Sequence, residues 1–117
     1  MKYDDLLSVP YLKNGRTLAG LDCYGLVIEC FRREGKELKD LALPEYSALA
    51  AHVASLNVRQ VAEPRAGLGV QFMIGPDFHI GYMLDRRLVL HMTETGLRQT
   101  PIIALSKGNP KYFEVTE

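Results

Sequence analysis

Asp22-Cys23-Tyr24-Gly25-Leu26-Val27-Ile28-Glu29-Cys30-Phe31-Arg32-Arg33-Glu34-Gly35 is the stretch whose pattern decides the fold. Cys23, Leu26, Val27, Cys30 and Phe31 recur at i, i+3, i+4, i+7 and i+8, one face of an amphipathic helix. Asp22 stands where an N-cap belongs and Gly35 where a helix stops, so the spacing predicts a helix over 22–34 with Cys23 in its first turn. That helix needs an apolar partner, and the residues around it supply one.

Upstream, residues 2–8 read as a short helix ending before Pro10, and residues 9–21, with Pro10, Asn14, Gly15 and Gly20, as an irregular loop. Downstream, Leu49, Val53 and Leu56 suggest a second helix over 45–56. The texture then changes to short apolar runs split by Gly, Pro and Asp: Val58 to Ala62, Gly69 to Ile74, Phe78 to Leu84, Leu88 to Met92 and Leu97 to Ile103. Asp85-Arg86-Arg87 predicts a tight hairpin between the third and fourth of these. Helices first and antiparallel strands after define an α+β domain.

The 117 residues fit one domain over 1–117, and 47% hydrophobic with 24% charged residues is the balance of a soluble globular chain. Fourteen basic and fourteen acidic residues cancel, so the basic excess of a nucleic-acid binder is missing. No apolar run approaches the ~18–20 residues that span a bilayer, so no membrane partner is expected. The start Met1-Lys2-Tyr3-Asp4-Asp5 carries no signal-peptide core, which reads as cytoplasmic synthesis. Cys23 and Cys30 on one helix are separated by a rise of ~10 Å, too far for a disulfide. No His/Cys set has zinc spacing, so neither a metal nor a cofactor is expected.

A cysteine at a helix start sits beside unpaired N–H groups and partial positive charge, which favour the thiolate. The competing reading is a small buried hydrophobe, and for Cys30, deeper in the helix, that reading is preferred. His79 and His91 fall on the two strands of the predicted hairpin, each six residues from Asp85, and so read as cross-strand neighbours. A cysteine nucleophile needs a base, and the base a group that fixes its tautomer. His52, mid-helix among alanines, reads as a surface residue.

Gly20-Leu21-Asp22-Cys23-Tyr24-Gly25-Leu26-Val27 resembles the nucleophile signature of the NlpC-type cell-wall cysteine peptidases, a branch of the papain-like superfamily. Val9-Pro10-Tyr11 with Asn14-Gly15-Arg16 resembles the family's tyrosine-bearing loop, and Leu43-Pro44-Glu45-Tyr46-Ser47 its linker between helices. Phe78-His79-Ile80-Gly81-Tyr82-Met83-Leu84 resembles the base-bearing strand, and Leu88-Val89-Leu90-His91 the strand whose last residue orients the base. The pieces run in the family's order over 9–92. Tyr24 stands where the family often has serine, and Gly67-Leu68-Gly69 where it commonly opens a strand with Gly-Asp.

The resemblance implies a papain-like fold, helices on a central antiparallel sheet, with Cys23 as nucleophile, His79 as base, His91 as its orienter and Tyr11 as an oxyanion donor beside the Cys23 N–H. It implies hydrolysis of peptidoglycan stem peptides between D-glutamate and a diamino acid. A lone catalytic domain looks most like phage tail-associated members, which adds tail proteins as partners and the virion tail as location. Two other readings stand beside it: a non-catalytic tail-assembly or interaction module on the same fold, and an amidase or transferase acting on another amide.

Overall fold

A computed structural model describes residues 3–40 and 56–116 of the chain. The helix read from the apolar stripe is present as α1 (Cys23–Arg33), with seven of its residues buried. Asp22 is its N-cap: the backbone there is extended and the carboxylate accepts the Gly25 N–H at 2.7 Å. At the other end Gly35 takes φ +75°, a conformation that a side chain disfavours, and the helix stops.

Ahead of α1, residues Asp4–Ser8 form a short 3-10 helix. The expected loop carries a minimal hairpin of β1 (Arg16–Thr17) and β2 (Gly20–Leu21). Beyond the helix come β3 (Val58–Val61), β4 (Gly69–Ile74), β5 (Asp77–Met83), β6 (Leu88–Thr93), β7 (Gly96–Pro101) and β8 (Lys111–Val115). These six make one sheet in the order β3-β8-β4-β5-β6-β7, every neighbouring pair antiparallel. The α+β architecture is therefore as expected. The second helix expected over 45–56 lies outside the described residues except at Leu56.

Two differences from the sequence reading concern the last third of the chain. The run expected as a strand from Leu97 to Ile103 leaves the sheet at Pro101, and Ile102–Gly108 coil into a 3-10 helix. Ile102 donates to the Arg87 carbonyl at 2.7 Å, and Ile102 and Leu105 pack against buried residues of the sheet. β8, not anticipated, inserts between β3 and β4.

Side chains alternate across the strands and so build two cores. On one side Leu26, Val27, Cys30 and Phe31 of α1 meet Ile80, Tyr82, Leu90, Met92 and Phe113. Phe31 stands edge-on to Tyr82 with ring centroids 5.3 Å apart, and each such buried large side chain contributes about 1.5–3 kcal/mol. On the other side Val70, Phe72, Met83 and Val89 pack with Leu68, Ile102 and Leu105. The sheet is thus a layer between two apolar fillings, and α1 covers one of them.

Candidate active site

Cys23 is the first residue of α1 and lies in the helix-side core at 5% exposure. Its position is fixed by the buried carboxylate just before it. Asp22 Oδ1 accepts from Gly25 N–H and from Arg16 Nη1, each at 2.7 Å. Arg16 reaches on to Asp40 at 2.8 Å, and its guanidinium lies over the Tyr24 ring, 5.5 Å from the centroid. The Tyr24 hydroxyl donates to the Lys39 carbonyl, and burial pushes its ionisation up to about 12. Tyr24 is therefore tied down beside the helix start. Cys30 is fully buried, and desolvation pushes its thiol up to about 12, so it is inert at neutral pH.

Tyr11 reaches the same region through the backbone. It bridges to Leu21 in parallel fashion, with Leu21 N–H donating to Pro10 O at 3.0 Å and Leu12 N–H to Leu21 O at 3.1 Å. This sets Tyr11 alongside the residue two before Cys23, half-buried against the core that holds the cysteine.

The histidines are brought together, but not in the register expected. The hairpin is centred on Arg86 rather than Asp85: Leu84 N–H donates to Leu88 O, and Met83 pairs with Val89 and Tyr82 with Leu90. The Asp85 carboxylate accepts from the Arg87 and Leu88 N–H groups, which draws the loop one residue later. Continued along the strands, that register sets His91 against Gly81, with His79 on the diagonal. A Cβ on Gly81 would lie 3.2 Å from His91 Cβ and 2.6 Å from Val89, so only glycine fits between the histidines. What joins them is Phe72, which pairs with His79 across β4 and β5. Its ring stacks on His79 (5.9 Å, 16°) and meets His91 edge-on (5.5 Å, 89°).

His91 is buried at 5% exposure, with Nε2 2.8 Å from Thr100 Oγ1. Burial first, then the nearby charges of His79 and Arg98, lowers its ring from 6.5 to about 4. It is neutral at pH 7, and Nδ1 is buried without a hydrogen-bond partner among the described residues. A neutral imidazole with one uncommitted nitrogen is suited to orienting a second ring.

Alternation along β5 sends Ile80 and Tyr82 to the helix and turns His79, with Met83, toward Phe72. Tyr11 and Cys23 therefore belong to the helix-side core and the histidines to the ring of Phe72. The β5–β6 ladder covers Tyr82–Met83 and Leu90–Val89, and His79 and His91 both lie beyond it. A cavity of about 570 Å³ opens against Tyr3, Glu34, Tyr82 and Gln99, at the other end of α1, and none of the four sequence-derived site residues lines it.

Phe72, Thr100 and Arg98 were not singled out by the sequence, and Arg16 entered only within the Asn14-Gly15-Arg16 run, without a role of its own. Arg16 and Asp22 sit close in the chain with opposite charge, the one signal that would have found a member of this set. His52 lies outside the described residues. Among the described residues, no group of three or more His, Cys, Asp or Glu is placed to hold a metal ion. No described helix is long and apolar enough to cross a membrane. No family model matches the chain, and no curated protein matches it.

Proposed function

We propose that the protein is a cysteine peptidase with an NlpC-type, papain-like site, and that it hydrolyses the D-glutamyl–diamino acid amide of peptidoglycan stem peptides. The observation that carries the reading is the histidine pair, in which a buried, neutral His91 keeps Nδ1 uncommitted beside His79. The capped helix start at Cys23 is the second support.

In this mechanism the Cys23 thiolate attacks the amide carbonyl, and the helix terminus stabilises the anion before attack. The tetrahedral oxyanion is held by the Cys23 N–H and the Tyr11 hydroxyl. His79 protonates the leaving amine, and the same histidine then takes a proton from the water that releases the acyl group. His91 holds His79 in the tautomer that this sequence needs. The Cys23–His79 pair must form at the margin of the sheet, past the last β5–β6 pairing, because alternation within the strand turns His79 from the helix. A tail-associated setting, with wall contact at infection, goes with this substrate.

A second reading is favoured by the 5% exposure of Cys23 and by that alternation: a non-catalytic tail or interaction module on the same fold. One experiment divides the two. Wild type incubated with defined muropeptides is expected to release products ending in D-glutamate, identified by mass spectrometry. Cys23→Ala and His79→Gln are expected to release none while keeping their circular dichroism, and His91→Gln to retain appreciable turnover. Intact muropeptides with folded wild type, or cleavage by Cys23→Ala, would end the peptidase reading.

A further inference from the structure

The imidazole of His91 has two tautomers, and the surroundings choose between them. Its Nε2 is 2.8 Å from Thr100 Oγ1, a hydroxyl that can donate or accept. If the hydroxyl donates, the ring proton moves to Nδ1, where a buried donor meets no acceptor among the described residues. If the hydroxyl accepts, Nε2 keeps the proton and Nδ1 becomes a lone pair. The groups whose charge acts on His91 are His79 from β5 and Arg98 from β7, its neighbour across the β6–β7 ladder. A guanidinium and a second imidazole N–H are both donors, and a lone pair is the better neighbour for them. Arg98 donates to Thr95 Oγ1 at 3.0 Å and neither it nor His79 hydrogen-bonds Nδ1, so a bare lone pair there costs less than a buried N–H with no acceptor.

We infer that Thr100 is a positioning residue: its hydroxyl accepts the Nε2–H of His91 and thereby keeps Nδ1 as a lone pair, the form that the peptidase reading needs for orienting His79. Thr100 pairs with Val89 in the ladder and lies on the same side of the sheet as His91, so its backbone is fixed by strand pairing. A Cβ on Gly81 would lie 3.2 Å from His91 Cβ, so the β5 backbone comes close to the His91 side chain only because this residue is glycine. The inference rests on the peptidase reading for the role of His79, but the tautomer of His91 is a property of the folded chain alone.

The test therefore reads the tautomer directly. Protein labelled with ¹⁵N-histidine is examined at neutral pH by long-range proton–nitrogen correlation, in wild type, Thr100→Ser and Thr100→Val. Wild type and Thr100→Ser are expected to show His91 protonated at Nε2 and bare at Nδ1. Thr100→Val, which keeps the shape and removes the acceptor, is expected to shift the tautomer ratio by about tenfold, the weight of one ordinary hydrogen bond. A wild-type ring protonated at Nδ1 overturns the inference, as does an unchanged ratio in folded Thr100→Val. A valine variant that fails to fold leaves the decision to the wild-type tautomer and to Thr100→Ser, which must reproduce it. Muropeptide cleavage is measured on the same samples. No cleavage by wild type, with a tautomer that follows Thr100, removes the peptidase reading and leaves the hold of Thr100 on His91 in place.

Discussion

Replacing Asp22 with alanine removes two contacts from one oxygen, the cap on Gly25 N–H and the ion pair with Arg16, both at 2.7 Å. Loss of an N-cap side chain costs about 1 kcal/mol. A hydrogen bond to a charged group adds about 1.5–3 kcal/mol, taken here at its lower end because Arg16 keeps Asp40 at 2.8 Å. The sum is about 2–3 kcal/mol, which at a urea slope of about 1–3 kcal/mol per molar lowers the unfolding midpoint by about 1–2 M. Asp22→Asn keeps a side-chain oxygen that caps as well as aspartate does, so it loses only the ionic part, about 1–2 kcal/mol. Urea titrations of the three proteins, followed by circular dichroism, measure both steps. An alanine variant within about 0.5 kcal/mol of wild type would refute the argument that this carboxylate anchors the start of α1. So would an asparagine variant as unstable as alanine, because the cap would then contribute nothing.

Iodoacetamide at pH 6 to 7 is expected to label Cys23 well before Cys30, whose thiol burial holds near 12; peptide mapping decides, and earlier labelling of Cys30 sinks the nucleophile assignment. A third prediction follows from His91, whose folded value of about 4 lies below its ordinary 6.5. As pH falls through this window the unfolded chain takes the proton first, so stability present above pH 6.5 is progressively lost toward pH 4, by about 3 kcal/mol in all. His91→Gln should show a flatter loss across the same window, and parallel stability profiles for the two proteins would contradict the burial argument.

The helix was legible because three independent signals agreed on it: a 3.6-residue apolar stripe, a capping aspartate and a stopping glycine. The sheet was legible strand by strand but not as an assembly. Lys111 to Val115 alternates around Phe113, yet five residues beside Pro110 give too short a pattern, and pairing with both β3 and β4 leaves no local mark. Ile102 to Leu105 is a continuous apolar run, which reads equally as strand or helix until packing against the sheet decides. The two-residue slip in the β5–β6 register had a subtler cause. Counting from Asp85 set the histidines face to face, but its carboxylate caps two N–H groups and moves the loop centre to Arg86. Residue types at the candidate site could be read from sequence; the ring of Phe72 that gathers the histidines could not, since nothing in the chain order places it between them.

The insertion of β8 between β3 and β4 has a bearing on synthesis. A ribosome delivers β3 and β4 some 40 to 50 residues before the strand that bonds to both. Until Lys111–Val115 emerges, the nascent chain carries two unsatisfied strand edges and lacks Phe113 from the helix-side core. Such edges recruit foreign strands, and pairings this distant in sequence form slowly. The sheet therefore closes only once Lys111–Val115 has left the ribosome. Growing chains halted short of residue 111 would be species for chaperones to shield, and loss of a few residues near the end of the described chain would harm folding more than an equal loss at β7, which borders only one strand.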